Sequence, residues 1–373
     1  MRKLIVAMAV LCSGTVAMAQ NPFQYLLIGT NADGKDGGIH VYRFNPNKGE
    51  ATFVSKVETG YPTYLAVSKD QKFVYAVNEY PGKDDGDASA FALDKTKGQL
   101  TFLNKQTTGG TSPCYIAVDS TGKNVAVANY AGGNLAIFKT GSDGTLQPAA
   151  QNLAHEGYGV NVTRQEMPHP HCAVFSPDEK YMYSCDLGND RVYQYKFDAG
   201  SATPVTDAEP AYITLEDGFG PRHITFSNDG KFAYVMTELA GKLLVYEVKD
   251  GNLTEIQSLP TAKTGDKSDM GGADIHITPN GKFLYVSTRG KANEITIFKV
   301  NTDGRLLEVG RQPVGMHPRN FMIDPTGRFL LVANRDSNNI QIFVINKNYG
   351  LLEDTQTTIQ INKPVCLKMV PVR

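Results

Sequence analysis

His169-Pro-His171, Arg222-His223, Asp274-Ile-His276 and Pro318-Arg319 share one sequence context: each opens a short apolar stretch that runs into a polar turn. A second group, Glu79, Asp186, Glu238, Arg289 and Arg335, stands where the following apolar stretch ends. Histidine exchanges protons near neutral pH. Arginine offers a planar fork of donors to a carboxylate, a phosphate or a developing oxyanion. This inventory suits proton transfer on an anionic or anion-forming substrate. It does not suit a metal or another cofactor, and none is expected. The Cys and His residues lack zinc-site spacing, and calcium would need clustered oxygen ligands where arginines stand instead.

The elements that carry these residues repeat. Pro62 begins PTYLAVSKDQKFVYAVN, Pro113 begins PCYIAVDSTGKNVAVAN, Pro170 begins PHCAVFSPDEKYMYSCD, and Pro221 begins PRHITFSNDGKFAYVMTE. Gly272 begins GADIHITPNGKFLYVSTR, Pro318 begins PRNFMIDPTGRFLLVANR, and Pro364 begins PVCLKMV before the chain stops. The starts lie 46 to 57 residues apart. Each complete unit adds a third strand, a Gly-containing turn and a fourth strand, as in LLVYEV, Asp250-Gly251, NLTEIQS. β-branched and aromatic alternation with these turns predicts strands. Four antiparallel strands at this period form a propeller blade. The seventh unit supplies only a first strand, and QYLLIGT, GIHVYRF and ATFVSKVE near the N-terminus supply the other three. The expectation is an all-β, seven-bladed β-propeller whose C-terminal strand pairs with three N-terminal strands. Closure of that kind removes the exposed sheet edges.

Strand order then fixes geometry. The first strand of each blade lines the channel, and its start lies at the same mouth as the end of the second strand. Both groups of polar residues therefore meet at one mouth, together with the long links Ala154–Pro168 and Pro260–Gly271. A concave mouth with convergent polar groups is the default site. Single members have plainer readings: Glu79 and Arg335 as rim charges, Asp186 as a partner for backbone, His276 as a satisfied channel histidine. The set of His171, Arg222, Glu238 and Arg289 is harder to dismiss, because confined arginines repel one another without an acid or an anion. These four are the catalytic candidates. His169, His223, His276, Arg319 and Asp186 are the candidate substrate contacts.

The remaining sequence bounds the setting. Lys+Arg 37 against Asp+Glu 38 gives a net charge of -1, with no basic run, so nucleic acid is not an expected partner. Arg2 and Lys3, the apolar run Leu4–Leu11 and Ala17-Met18-Ala19 read as a cleaved secretory signal over residues 1–19. The mature propeller would then span residues 20–373, periplasmic or secreted, beginning at Gln20. The apolar run is too short to anchor it in a membrane, and Cys12 follows Leu11 rather than the small residue lipidation wants. Cys114, Cys172, Cys185 and Cys366 read as small buried residues. Cys172 and Cys185 share a hairpin, but disulfide geometry is selective.

HPHCAVFSPDEKYMYSCDLGNDRVYQY, GPRHITFSNDGKFAYVMTEL, ADIHITPNGKFLYVSTRG and PRNFMIDPTGRFLLVANR together resemble the lactonase family of seven-bladed propellers, from about Tyr25 to the C-terminus. That family includes bacterial 6-phosphogluconolactonases and the fungal 3-carboxy-cis,cis-muconate lactonizing enzyme. The resemblance implies a small-molecule lactone substrate. It also implies active residues at His171, Arg222, Glu238 and Arg289, the four already singled out. Hydrolysis would use His171 as base, with Arg222 and Arg289 on the oxyanion. An exported chain departs from the cytosolic setting of the sugar-phosphate enzyme, which brings an unphosphorylated aldonolactone into view. A cycloisomerase of the muconate type and a non-catalytic binding propeller remain as alternatives.

Overall fold

The computed structural model describes residues 22–83, 85–262 and 270–372. The signal read from residues 1–19 lies outside them, as does part of the link after Pro260. Within them lie seven four-stranded antiparallel sheets and one turn of 3-10 helix, Gly34–Asp36. Six sheets are continuous in sequence. The seventh joins the C-terminal strand Pro364–Pro371 to Gln24–Thr30, Ile39–Asn45 and Glu50–Val57. Antiparallel pairing runs from Gln24 opposite Pro371 to Thr30 opposite Pro364, and the ring closes as the repeat predicts. No helix among the described residues is long and apolar enough to cross a membrane.

Neighbouring blades are joined by a device visible in the repeat. The Gly of a blade's outer turn lies against the aromatic residue that opens the second strand of the blade before it. At Gly304 a Cβ would come within 2.2 Å of the Phe232 ring, and at Gly144 within 2.2 Å of Phe73. Both glycines also have positive φ, +78° and +83°, so the turn and the packing each require Gly. A buried tyrosine on the same second strand adds a polar tie: Tyr183 donates to Gly251 O at 2.7 Å, and Tyr285 donates to Gly350 O at 2.7 Å. Between the second and third blades the aromatic is replaced by Asn124, whose amide donates to Ala199 O at 3.3 Å.

The channel side carries the feature that matters for function. In the inner strands Pro113–Val118, Pro221–Phe226, Gly272–Ile277 and Pro318–Ile323, the ladder slips just after the first residue. Cys114, Arg222, Ala273 and Arg319 fall in the slip, opposite no partner. Such bulges re-aim side chains. Here the slip lets two successive residues per blade reach the channel, where strict alternation would offer one. The third blade goes further. Pro168 and Pro170 lack N–H groups, and its inner strand shrinks to Val174–Phe175 plus an isolated bridge between Pro170 and Asp186.

Cys114, Cys172, Cys185 and Cys366 are free and buried. Cys172 Sγ accepts from Cys185 N at 3.4 Å.

Deleting residues 363–373 removes the strand that buries Cys366, Leu367 and Val370 and leaves Gln24–Thr30 without its inner partner. Loss of a cooperative melt, with insoluble or protease-sensitive protein, is the expected outcome. A truncated chain that melts at the parent temperature would show that closure is dispensable.

Candidate active site

Two seven-fold equivalent positions build the mouth. The first follows the Pro or Gly that heads each repeat; its occupants that reach the cavity are Cys114, His171, Arg222 and Arg319. The second lies one residue past the second strand, where its N–H donates back to the residue preceding the inner strand. Glu79 N donates to Tyr61 O, Tyr130 N to Ser112 O, Glu238 N to Gly220 O and Arg289 N to Gly271 O, all at 2.8 to 3.1 Å. These eight side chains and Arg164, from the long link before the third blade, enclose a cavity of about 200 Å³. Beside it lies an outer groove of about 720 Å³ that shares Arg164 and Glu238 and is lined further by Val160, Val162, Phe219 and Leu239. Size alone does not locate the chemistry: a concavity of about 690 Å³ on the opposite turns, lined by Ser68, Lys69, Ser120, Lys123 and Lys139, lacks any such convergence.

Glu238 is the hub. Its Oε1 accepts from Arg164 Nη2 at 2.7 Å, and its Oε2 meets Arg289 Nη2 at 2.9 Å and Arg222 Nη1. Backbone carbonyls hold the guanidiniums from behind. Arg222 Nε donates to Ala273 O at 2.9 Å. Arg289 donates through Nε to Gly271 O and through Nη2 to Gly272 O, each at 3.1 Å. Arg319 Nη2 stands 3.7 Å from Glu79 Oε2, an oxygen that is buried and without a hydrogen-bond partner among the described residues. His171 Nδ1 lies 3.7 Å from Cys114 Sγ, which leaves Nε2 to meet a ligand. The Tyr130 ring flanks His171 edge to face, with centroids 5.4 Å apart.

Charge follows from this packing. Burial opposes ionisation of Glu238, but the guanidiniums of Arg289, Arg222 and Arg164 outweigh it and hold its carboxyl well below the usual range. Burial, then Arg222 and His223, push His171 well below the ordinary imidazole value, so it rests neutral. Burial lowers Arg289 against the pull of Glu238, and it stays charged at neutral pH. Four guanidiniums therefore face two carboxylates in the cavity, an excess of two positive charges. Such a site fits a substrate that is anionic or becomes so.

Residues 25–369 match the family described as Lactonase, 7-bladed β-propeller. The chain belongs to that family. Among its lactonase-family relatives, the Formosa agariphila 6-phosphogluconolactonase is 36% identical over 349 residues, covering 92% of this chain and 99% of that one. The Bacillus subtilis 6-phosphogluconolactonase is 36% identical over 350 residues, covering 92% and 97%. A periplasmic gluconolactonase of Pseudomonas aeruginosa superposes with a TM-score of 0.89 at 33% identity, covering 94% and 100%. A crystal structure from Bacteroides fragilis gives 0.90 at 44% identity, covering 94% and 98%.

In this lactonase-family site, His171, Arg222, Glu238 and Arg289 meet in one cavity, and Arg319 joins them. The other candidates lie elsewhere. His169 stacks on Tyr130 with centroids 4.4 Å apart, and its Nδ1 lies 2.9 Å from Tyr130 O, so it braces a wall of the cavity from outside. His223 and His276 sit deeper in the channel, both bonded to Asp274 at 2.9 Å. Asp186 is fully buried away from the cavity. It bonds His155 Nδ1 at 2.6 Å and accepts from His169 N at 2.6 Å and Gly188 N at 2.9 Å. Arg335 pairs with Asp336 at 2.6 Å. Tyr130 and Arg164 are cavity residues that the sequence reading did not name. Tyr130 occupies the same repeat position as Glu238 and was legible from it. Arg164 comes from a link with no repeat equivalent.

Proposed function

We propose that this chain hydrolyses a sugar lactone to the open-chain acid. The observation that carries the reading is the cavity itself: a neutral imidazole faces four arginines and two carboxylates in about 200 Å³, below the size of pockets for drug-like ligands. His171 Nε2 takes a proton from the attacking water. Arg222 and Arg289, locked by Glu238 and by backbone carbonyls, stabilise the oxyanion without reorganising as it forms. Glu79 Oε2 accepts a sugar hydroxyl. The excess positive charge then meets the product carboxylate. Supporting the reading are the 6-phosphogluconolactonase relatives and the similar periplasmic gluconolactonase. The last agrees with export through residues 1–19, which we also propose, and with an unphosphorylated aldonolactone as substrate. Mature protein is then expected to begin at Gln20.

The test is acid release from glucono-δ-lactone and from its 6-phosphate, against the spontaneous rate. No acceleration of either overturns the proposal. The two substrates also differ in their response to salt. Raising ionic strength from 0.05 to 0.5 M (about a threefold shorter screening length) is expected to raise KM for the phosphorylated lactone and to leave KM for the neutral one nearly unchanged. Arg164→Ala should flatten the phosphorylated substrate's salt response, because Arg164 is the cavity arginine with its side chain 41% exposed. Equal salt responses from parent and variant would remove Arg164 from substrate binding.

A further inference from the structure

Below the mouth the channel holds a polar chain that lactone hydrolysis as described leaves unused. Asp274 is 1% exposed. Its Oδ1 bonds His223 Nδ1 at 2.9 Å; its Oδ2 bonds His276 Nε2 at 2.9 Å, Asn320 Nδ2 at 2.5 Å and the Phe321 N–H at 3.2 Å. The carboxylate is thus fixed from several sides. The other nitrogen of His223, Nε2, is buried. That side chain is only 7% exposed, and Nε2 has no hydrogen-bond partner among the described residues. Leaving a buried imidazole nitrogen unpaired is costly. The His223 and His171 rings meet edge to face with centroids 5.4 Å apart, and His223 Nε2 makes no hydrogen bond to His171. Both rings line a small cavity of about 10 Å³, together with Tyr64, Cys114, Arg222, Arg319 and Val365. That is the space of one water molecule, and it adjoins the Nδ1 side of His171, where Cys114 also lies.

We propose that one water held in this cavity links His171 to the Asp274–His223 pair, so that the proton His171 takes from the nucleophilic water is passed on to His223 during turnover. The inference rests on the reading of His171 as base. As the water oxygen bonds the lactone carbon, the carbonyl π pair becomes the oxyanion held by Arg222 and Arg289. The water's proton goes to His171 Nε2, His171 Nδ1 releases its own proton to the bridging water, and that water delivers one to His223 Nε2. On collapse the ring C–O bond breaks and the ring oxygen takes a proton from His171 Nε2 while the chain runs backward. One water is added and no proton is gained or lost before the product acid ionises.

Electrostatics give the transfer its direction. An imidazolium at His171 would face Arg222 and Arg319, offset only in part by Glu238. At His223 it would share a hydrogen bond with the Asp274 carboxylate, against Arg222 and His276, beside the neutral rings of Tyr64 and Tyr115. Burial opposes the charge on Asp274, but His276 and His223 outweigh it and keep the carboxyl far below its usual range. Burial sets His223 at about 4, neutral at rest and ready to accept. His223 is on this account a positioning and relay residue, not a group that touches substrate.

His223→Gln keeps a donor for Asp274 and removes the imidazole nitrogen that would accept the relayed proton. With glucono-δ-lactone as probe, kcat is expected to fall about 10- to 100-fold with KM within about twofold. The decisive readout is a proton inventory in H2O–D2O mixtures. The parent should give a curved plot from several protons moving together, and the variant a straight one. A folded His223→Gln with parental kcat and a curved plot overturns the relay, as does a variant that only melts earlier while its plot stays curved. If the variant does not fold, imidazole ¹⁵N spectra of the parent decide: the relay requires His223 protonated on Nδ1 and bare on Nε2, and the opposite tautomer sinks it. His171→Ala separates the two claims. Full activity there overturns the base itself, whereas an inactive His171→Ala beside a fully active His223→Gln overturns the relay alone.

Discussion

Glu238→Ala is expected to be the most damaging single change in stability, lowering it by about 3–5 kcal/mol, the range for breaking a buried ion pair by removing one partner. Three guanidiniums converge on this carboxylate, and two of them, Arg222 and Arg289, have side chains only 4% and 12% exposed. Without it they face one another in the cavity with Glu79 alone in opposition. Urea unfolding of parent and variant measures the loss. An anion should substitute in part for the missing carboxylate, so added phosphate is expected to raise the midpoint of Glu238→Ala more than that of the parent. The pH dependence has a definite sign. The folded-state pKa of Glu238 is depressed, so its contribution is complete above the ordinary value of 4.5 and is lost as pH falls through the folded value. The gap between parent and variant should therefore hold constant from about pH 5 to 8 and narrow only in strong acid. A gap that closes between pH 7 and 5 would mean that Glu238 is not the ion that holds the cluster.

The repeat made most of this arrangement legible. A proline at the head of the inner strand (Gly272 in one repeat), a polar turn and an apolar second strand recur, and the orphan strand at the C-terminus has its three partners at the N-terminus. The mouth was readable for the same reason, since equivalent positions in a ring share a height. The misplacements have physical causes. Asp186 is the last residue of its strand, equivalent to Asn129 and Thr237, which are also fully buried; the mouth position of that blade is Leu187, whose N–H donates to His169 O. One residue of offset along a strand reverses the side a residue faces. His223 follows Arg222 directly, and alternation would point the two apart. Both face the channel because the ladder slips between Pro221 and His223, and a backbone slip leaves little trace in residue type. Arg164 could not be placed at all. Its position depends on a link folded by local contacts, such as Gly159 N to Gln165 O at 2.9 Å and Gln165 Nε2 to Leu187 O at 2.9 Å.

His171→Ala is expected to lower kcat about 100- to 10,000-fold, the range for losing a general base, with a much smaller change in KM. The split follows from the geometry. Among the described residues His171 has no ion-pair partner in the cavity, and in the proposed mechanism its decisive bond is to the attacking water, an interaction that strengthens only as the proton moves. The arginines, by contrast, meet the ground-state substrate and the oxyanion alike, so Arg222→Ala and Arg289→Ala should raise KM and lower kcat together. Folding should survive the histidine change. Its ring is held by edge contacts with Tyr130 and His223 and a 3.7 Å approach to Cys114, while the backbone bond from His171 N to Cys185 O at 2.8 Å remains. Lys123→Ala is the control, an exposed side chain on a turn at the other end of the blades, and it should leave both constants unchanged. Steady-state rates of acid release on one lactone, with melting temperatures alongside, supply the comparison. Should a folded His171→Ala retain the parent kcat, proton abstraction must pass to another group. Of the two carboxylates, Glu238 is committed to three arginines, whereas Glu79 has an oxygen without a hydrogen-bond partner among the described residues. Glu79→Gln would then become the next variant to measure, and the arginine cradle would keep its role while the base assignment moved across the cavity.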